Sequence, residues 1–281
     1  MTGYEYSIAD VFTTTALAGN PVAVFTAAAA VPEALMQPIA RELNLSETVF
    51  VLPGDEAADV HVRIFTPVNE LPFAGHPTMG AAIVLGGARS GDTMTLGTAQ
   101  GVVPFTFDRD AGGRILSATM HQPVPTWQPY EHTDVLLRSL GAAEPVTVVD
   151  AYRNGPRHVL VGFRSLEELS AIRPDLRAMA GLPDMAAICF AGSGSRWRMR
   201  MFSPAYGVAE DAGTGSAAGP LAIHLIRHAL LSHDDWIEIR QGVEMGRPST
   251  MWASASGSGD SFHTVRLRGS AVLVGRAELY A

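Results

Sequence analysis

Glu47 stands where a helical segment gives way to an apolar strand, in the stretch Asn44-Leu45-Ser46-Glu47-Thr48-Val49-Phe50-Val51-Leu52. An exposed turn is one explanation for a carboxylate at such a junction. The other is a glutamate that lies at the rim of a core. Because removal of water favours the protonated form of a carboxyl group, such a glutamate can take up a proton and return it. Glu47 is therefore a candidate acid/base residue.

Two further titratable side chains precede apolar helical segments. His76 begins one such segment with Gly75 and Pro77, and Asp211 stands shortly before the segment that begins at Gly215. Glycine lets a ligand approach the backbone, and the free amides at a helix N-terminus attract anions. Taken alone, a histidine or a Glu-Asp pair is commonly structural or solvated. Beside two matched helix starts, these residues favour a site for a small carboxylate.

The two segments belong to an internal repeat. Phe65-Thr66-Pro67 is followed by Gly75-His76-Pro77-Thr78-Met79-Gly80-Ala81-Ala82-Ile83-Val84-Leu85, and Phe202-Ser203-Pro204 is followed by Gly215-Ser216-Ala217-Ala218-Gly219-Pro220-Leu221-Ala222-Ile223-His224-Leu225. The copies lie half a chain apart. They predict two similar domains, residues 1–121 and 122–267, each with strands around a helix. A C-terminal strand over about 268–281 is a candidate to pack back on the first domain.

Periodicity gives the elements that must position these residues. Apolar and alternating runs predict strands at Tyr4–Thr13, Pro21–Thr26, Thr48–Pro53, Val60–Thr66, Gly101–Phe107, Ile115–Met120, Val146–Tyr152, Val159–Phe163, Ala187–Phe190 and Arg196–Phe202. Helical spacing predicts helices at Pro32–Leu43, which Pro38 should kink or shorten, and at Pro77–Leu85 and Ala217–Leu231. The expected fold class is α+β.

Composition excludes several classes of function. The chain has 281 residues, 47% hydrophobic and 17% charged, with a net charge of -8, which argues against nucleic acid as a partner. No apolar run approaches the roughly 20 residues of a membrane-spanning helix. The first residues lack the features of a secretory signal, and the single cysteine, Cys189, forms no internal disulfide. A cytoplasmic protein is expected.

The residue types also limit the chemistry. All 20 basic residues are arginine, so Schiff-base catalysis and a P-loop lysine are excluded. The nine histidines show no HExxH or paired Cys/His spacing, so no metal site is expected. The residues alone therefore predict proton transfer on a small carboxylate without a cofactor.

Several segments carry a family resemblance: "DVFTTTALAGNPVAVF", "NLSETVFVL", "RIFTPVNELPFAGHPTMGAA", "NGPRHVLVG", "RMFSPAYGVAEDAGTGSAAGPLAIHL" and "QGVEMGRPS". In these segments the chain resembles the PhzF-like family of phenazine biosynthesis, which shares its fold with diaminopimelate epimerase. Many members have EDPATGSA where this chain has Glu210-Asp211-Ala212-Gly213-Thr214-Gly215-Ser216-Ala217. Gly213 stands where those members have alanine, and a glycine can make such a loop more flexible.

The resemblance implies two pseudo-symmetric domains, each a curled sheet or barrel around a central helix, with the active site between them, and a homodimer. It also implies isomerisation of trans-2,3-dihydro-3-hydroxyanthranilate to 6-amino-5-oxocyclohex-2-ene-1-carboxylate without a cofactor. The product would pass to the next enzyme of the pathway.

Residue roles follow from the same resemblance. Glu47 would move a proton from ring C3 to C1, assisted by His76 and Asp211. The substrate would be bound by Asn20, Ser46, Gly75, Gly213, Thr214, Gly215 and Ser216. The epimerase relatives use two thiols where this chain has glycine and serine, so a two-base mechanism is excluded. An isomerase or epimerase of another small acid, and a non-catalytic protein that binds small carboxylates, remain alternatives.

Overall fold

A computed structural model describes residues 2–142 and 144–281 of the chain. The chain divides into two compact units. The first consists of Met1–His121 with Arg268–Ala281, and the second of Gln122–Leu267. Each unit contains one apolar helix and a sheet that curls around it. In the part of the chain that the structure describes, no helix is long and apolar enough to cross a membrane.

The first unit is built from nine strands and two helices. The strands are β1 (Gly3–Val11), β2 (Asn20–Phe25), β3 (Glu47–Pro53), β4 (Val60–Phe65), β5 (Glu70–Leu71), β6 (Thr93–Thr98), β7 (Gly101–Arg109), β8 (Ile115–Gln122) and β18 (Ala271–Tyr280), and the helices are α1 (Glu33–Leu43) and α2 (Gly75–Gly86). Helix α2 lies inside the curl. A Cβ at Gly80 would meet Val22 of β2, and one at Gly86 would meet Phe107 of β7, so opposite parts of the sheet touch the same helix.

The second unit contains β9 (Thr126–Pro129), β10 (Asp150–Arg153), β11 (Arg157–Gly162), β12 (Ala186–Ser193), β13 (Arg196–Ser203), β14 (Val208–Asp211), β15 (Ile237–Gln241), β16 (Ser249–Ser258) and β17 (Ser261–Gly269). Its helices are α3 (Thr133–Leu140), α4 (Leu166–Ala171), α5 (Leu176–Met179) and α6 (Gly215–Arg227). Every residue of α6 from Gly215 to Leu225 is buried. An apolar cluster that includes Val159, Ala187 and Phe202 forms a core on the outer side, under α3, α4 and α5.

The same order of strand pairings occurs in both units. In the first unit, β1–β2 is antiparallel, β2–β3 parallel, β3–β4 and β4–β5 antiparallel, and β4–β6 parallel. The same order of pairings recurs in the second unit as β10–β11, β11–β12, β12–β13, β13–β14 and β13–β15. Both parallel crossovers that follow the short strand contain the central helix, α2 or α6.

Three sequence expectations need correction. Helix α1 runs through Pro38 without shortening. Pro38 cannot donate to the carbonyl of Ala34, but both residues lie on the exposed side of the helix, where water can replace the missing donor. The strand predicted at Val146–Tyr152 begins only at Asp150, and Val148 is exposed. The helix predicted at Ala217–Leu231 begins earlier, at Gly215, and ends at Arg227.

Candidate active site

Glu47 and His76 lie together in the first unit. Glu47 is the first residue of β3 and pairs in register with Val22 of β2, and His76 is the second residue of α2. Glu47 Oε2 lies 2.9 Å from His76 Nδ1, with side chains 18% and 2% exposed. Within the described residues this Oε2 has no hydrogen bond of ordinary geometry, so the pair is in contact without being locked together. A buried carboxylate oxygen with spare acceptor capacity is suited to act as a base.

The opposite nitrogen of His76 fixes the tautomer. Nε2 lies 3.2 Å from the carbonyl oxygen of Pro21, which can only accept a hydrogen bond. Nε2 therefore carries a hydrogen, and Nδ1 faces Glu47 either as a lone pair or, in the imidazolium, as a second N–H. Glu47 and His76 can thus exist as acid and imidazole or as carboxylate and imidazolium.

The other predicted residues of the first unit lie on the same elements. Ser46 is half-buried immediately before β3, and Gly75 begins α2 directly before His76. Asn20 is buried and begins β2, two residues before the register partner of Glu47. These positions place all five predicted residues of this unit on β2, β3 and the start of α2.

In the second unit, Asp211 ends β14 and is held by the turn that leads into α6. The hydroxyl of Thr214 donates to Asp211 Oδ2 over 2.6 Å. Gly213 is buried within the same turn. The neighbouring Glu210 is held by a bidentate pair with Arg200, at 2.8 and 2.9 Å, on a different side of the strand. Of the two adjacent carboxylates, Asp211 therefore belongs to the turn and Glu210 to the sheet.

Ser216 is held by two further residues, one from the turn before β11 and one on β11 itself. Proline has no N–H, so Pro220 inside α6 leaves the Ser216 carbonyl without its helical donor. Asn154 Nδ2 donates to that carbonyl over 2.8 Å. His158 Nε2 lies 3.0 Å from the Ser216 hydroxyl. The hairpin of β10 and β11 thus holds both the backbone and the side chain of this serine.

The protonation of His158 sets the direction of the serine hydroxyl. Burial, followed by the charge of Arg153, lowers the pKa of His158 to about 3, so the ring is neutral. Its Nδ1 is buried and makes no hydrogen bond to any residue the structure describes. A buried N–H without a partner is costly, so the hydrogen lies on Nε2 and is donated to Ser216 Oγ. The Ser216 O–H is then available to donate to an acceptor in the site.

The starts of α2 and α6 share a further property. Among the described residues neither helix has a side-chain hydrogen bond that caps its first turn. The amides of such turns favour negative charge nearby. Gly75 and Gly215, the first residues of the two helices, allow a ligand to come close to these amides.

One group of side chains has metal-like spacing. Asp150, His224 and His228 place ligand atoms within 4.8 Å of one another. Arg227 Nη1 already lies 2.7 Å from Asp150 Oδ2, and the two nitrogens of His224 contact Tyr152 and Thr147. A guanidinium at the carboxylate opposes a dication, so this donor set fits a charge-balanced polar core. Cys189 is fully buried in the apolar core of the second unit, and burial raises the pKa of its thiol well above the usual range.

Gln241 is a further residue that contacts the turn before α6. It ends β15, is almost completely buried, and contacts both Asp211 and Thr214. Together with Asn154 and His158 it lies in the segments "QGVEMGRPS" and "NGPRHVLVG". The family resemblance of these two segments was the feature of the sequence that pointed to the three residues. Their spacing along the chain did not reveal which residues they contact.

Comparison with known proteins gives a consistent result. A family model described as phenazine biosynthesis-like protein, PhzC-PhzF, matches residues 9–277. A trans-2,3-dihydro-3-hydroxyanthranilate isomerase from Pseudomonas aeruginosa is 50% identical over 278 residues, which cover 98% of this chain and 100% of the relative. The enzyme of that name from Pseudomonas fluorescens is 50% identical over 276 residues, covering 98% and 99%.

Solved structures agree on the fold. A PhzF-family phenazine biosynthesis protein from Bacillus anthracis superposes with a TM-score of 0.86 at 22% identity and covers all of both chains. A predicted epimerase from Pseudomonas aeruginosa has a TM-score of 0.82 at 31% identity over 99% of both chains. A hydroxyproline epimerase from Agrobacterium vitis, 14% identical, has a TM-score of 0.70 over 99% of this chain and 92% of its own. The predicted epimerase-like α+β fold is confirmed.

Proposed function

We propose that this chain, which belongs to the family of phenazine biosynthesis-like proteins, converts trans-2,3-dihydro-3-hydroxyanthranilate to 6-amino-5-oxocyclohex-2-ene-1-carboxylate by means of a single proton carrier, Glu47. The family resemblance found in the sequence motifs is confirmed by the match over residues 9–277. The chain is an isomerase of phenazine biosynthesis, since its relatives at 50% identity over nearly the whole chain are isomerases of that name.

The reaction moves a proton from C3 to C1, shifts the double bonds and ends in a tautomerisation. Removal of the proton from C3 leaves an anion that is delocalised through the ring diene as far as C1, beside the carboxylate. Return of the proton to C1 gives an enol, so the C3–H bond breaks and a C1–H bond forms. In the tautomerisation to the ketone, the enol O–H bond breaks and a C4–H bond forms, so the atoms balance without an oxidant, a reductant or a second substrate.

The contact between Glu47 and His76 is the observation that carries this proposal. The base must be ionised before it takes the C3 proton and protonated before it supplies C1. His76 Nδ1, 2.9 Å from Glu47 Oε2, stabilises the carboxylate when it is protonated and accepts from the carboxylic acid when it is not. Because Pro21 holds the Nε2 hydrogen, the ring needs no flip between these states. The half-buried Glu47 can therefore alternate between acid and base.

The predicted residues of the second unit act on the polar groups of the substrate. The Ser216 hydroxyl, oriented by His158, donates to the carboxylate together with the first amides of α6. Asp211, held by Thr214, accepts from the amino or hydroxyl group and assists the enol-to-ketone step. Asn20, Ser46, Gly75, Gly213 and Gly215 complete the binding set.

Several broader properties belong to the same proposal. The reaction needs no cofactor, because carboxylates, imidazoles, hydroxyls and amides supply all of its proton transfers. The protein acts in the cytoplasm, where its one buried thiol is preserved, and passes a reactive aminoketone to the next enzyme of the pathway. A homodimer is supported by a groove of about 760 Å³ on the first unit, lined by apolar residues such as Ile83, Leu116 and Leu273.

The decisive experiment follows the transferred hydrogen. Wild-type protein and Glu47→Gln are incubated with trans-2,3-dihydro-3-hydroxyanthranilate in D2O, with substrate absorbance and deuterium at C1 and C3 as readouts. We expect rapid conversion by the wild type and a loss of roughly 10²–10⁴-fold or more in the variant. Retention of the original C3 hydrogen at C1 in part of the product indicates a shielded transfer by one group.

Two results would count against the proposal in different ways. A wild-type protein that leaves this substrate unchanged removes the substrate assignment and favours another small amino or hydroxy acid. A Glu47→Gln variant as active as the wild type retains the substrate but removes Glu47 as the carrier.

A further inference from the structure

Gln241 makes hydrogen bonds with every polar group of its amide, and all of its partners belong to the turn before α6. Oε1 accepts from the backbone N–H of Thr214 over 2.8 Å. Nε2 donates to the Asp211 carbonyl and to Thr214 Oγ1, each over 2.9 Å. The side chain is 1% exposed. Reversal of the amide would set two donors against each other at Thr214 N and two acceptors at Asp211 O, so its orientation is fixed.

This orientation determines where the Thr214 hydroxyl points its hydrogen. Thr214 Oγ1 accepts from Gln241 Nε2, which directs its own O–H to Asp211 Oδ2 over 2.6 Å. The three side chains form a chain of donors that ends on one carboxylate oxygen. The other oxygen of Asp211 is then presented in a defined direction.

Backbone packing places Gln241 against this turn. Gly242 has a φ of +72°, and a Cβ there would lie 2.7 Å from the Ala212 carbonyl oxygen and 2.3 Å from that of Arg247. Only glycine fits such a conformation and such a close approach. The Gln241-Gly242 corner and residues 211–214 are therefore matched surfaces of the second unit.

We infer that Gln241 is a positioning residue for the isomerisation and acts through Thr214 to orient Asp211 toward the substrate. The inference rests on the proposed function, which places Asp211 against the substrate. A purely structural glutamine would need only to satisfy the backbone. Here half of the donor capacity goes to a hydroxyl whose single hydrogen is committed to Asp211. Gln241 thus controls a reacting group that it does not touch with its own side chain.

The test compares kcat and KM in four variants and in the wild type. Gln241→Met keeps the length of the side chain and removes the amide, Thr214→Val removes the hydroxyl at constant shape, and Thr214→Ser retains the hydroxyl. The fourth is the double variant with Met at 241 and Val at 214. We expect kcat to fall about 10- to 100-fold in both single disrupting variants, the range for a hydrogen bond to a charged group, with KM within about threefold. Thr214→Ser, which keeps the hydroxyl, should recover most of the kcat that Thr214→Val loses, and the double variant should be no slower than the worse single variant.

Gln122→Met is the matched control for loss of a buried amide. Gln122 donates over 2.9 Å to the Gly215 carbonyl, which is a backbone group and not a side chain of the site. We expect this variant to lower the melting temperature while kcat changes much less than in Gln241→Met. Equal losses of kcat in the two variants would reduce Gln241 to a structural residue and overturn the inference.

A readout without turnover separates this inference from the proposed function. The ¹³C resonance of the Asp211 carboxyl, assigned with Asp211→Asn, should shift in the same direction in Gln241→Met and Thr214→Val, and not in Gln122→Met. An unchanged resonance in Gln241→Met overturns the inference even if the enzyme is active. If the wild type is inactive but the variants show the expected shifts, the positioning of Asp211 by Gln241 is supported and only the assignment of the substrate is lost. Additive losses of kcat in the double variant would likewise contradict a relay through Thr214.

Discussion

The two units use the same order of strands and the same central helix, and they hold their candidate functional residues in opposite ways. In the first unit, Glu47 contacts His76 across 2.9 Å, and Glu47 is 18% exposed. In the second unit, Asp211 accepts a 2.6 Å bond from Thr214, which is itself bonded to Gln241. A group that must gain and lose a proton is stabilised in both states by a partner that can also change. Asp211, by contrast, accepts from donors that have a single arrangement, which fixes the direction of its carboxylate.

The central helices show the same difference. Ile83, Val84 and Leu85 of α2 are only half-buried, whereas Ile223, His224 and Leu225 at the matching positions of α6 are fully buried. In α6, Asn154 supplies the donor that Pro220 lacks for the Ser216 carbonyl. The buried His224 has a hydrogen-bond partner in Thr147. These contacts make α6 the more tightly held of the two central helices.

Glu47→Asp should have the largest effect, because it tests how accurately the movable carboxylate must be placed. The change withdraws the carboxylate by about 1.5 Å, the length of one carbon-carbon bond, from His76 and from the reacting carbon. Since a misplacement of about 1 Å can cost about 10²-fold, kcat should fall by about 10²–10³. Steady-state product formation gives kcat, and thermal unfolding serves as the control for folding. A folded variant within twofold of the wild type would show that the position of this carboxylate is not critical.

The next comparison uses matched leucines in the two helices. Leu225→Ala removes a side chain that is 0% exposed and should lower the free energy of unfolding by about 2–5 kcal/mol. Leu85→Ala, at a half-buried position, should cost about 1 kcal/mol. All four tryptophans of the chain lie between residues 122 and 267, so their fluorescence in urea reports the second unit, while circular dichroism reports both. Equal costs for the two leucines would remove the contrast in rigidity.

Much of this arrangement was predictable because it is local in sequence. The apolar helices with their Gly-rich starts, and Glu47 at a helix-to-strand junction, depend on neighbouring residues and on the F-[T/S]-P repeat. Helices α3, α4 and α5 were missed because they are short. The contact between Glu47 and His76 was not derivable from spacing, since β3 and α2 meet only through the curl of the sheet.

The supports of the second unit were not predictable from periodicity for a related reason. Gln241 reaches a residue 27 positions away, and Asn154 and His158 reach Ser216 across 62 and 58 positions. Buried amides and imidazoles have no characteristic spacing. Pro220 gave an indirect signal, because a proline inside a buried helix demands an external donor for the carbonyl four residues earlier.

The next prediction concerns the loss of stability at acid pH, which should differ between the two units. Burial and nearby positive charge lower the pKa of His158 and of His224, both in the second unit, to about 3. The usual pKa of histidine is about 6.5, so between about pH 6.5 and 3 the unfolded state binds more protons than the folded one. The contribution of these two histidines to stability is constant above about pH 6.5, and it is lost as the pH falls from about 6.5 to 3. At pH 5 each histidine should cost about 2 kcal/mol.

The measurement is urea unfolding followed by tryptophan fluorescence at several pH values between 7 and 4.5. His224→Gln, which does not titrate, should reduce the slope of stability against pH by about 1.4 kcal/mol per pH unit in the lower part of this range. An unchanged slope would mean that His224 does not remain neutral in the folded protein. Peptide-resolved hydrogen exchange should show that residues 122–267 lose protection first.

The smallest expected effect concerns the two prolines of the central helices, Pro220 in the interior of α6 and Pro77 in the first turn of α2. Asn154→Leu leaves the Ser216 carbonyl without the donor that Pro220 cannot supply, which should cost about 1–3 kcal/mol. Pro220→Ala restores a helical N–H, so Asn154→Leu should cost about 1 kcal/mol less in that background. Pro77 lies in the first turn of α2, where a missing N–H is no loss, so Pro77→Ala should leave the cost of Asn154→Leu unchanged. Double-mutant cycles of urea unfolding measure both couplings. Equal couplings with Pro220 and Pro77 would show that Asn154 does not serve the carbonyl freed by Pro220, and the hairpin of β10 and β11 would then hold Ser216 only through His158.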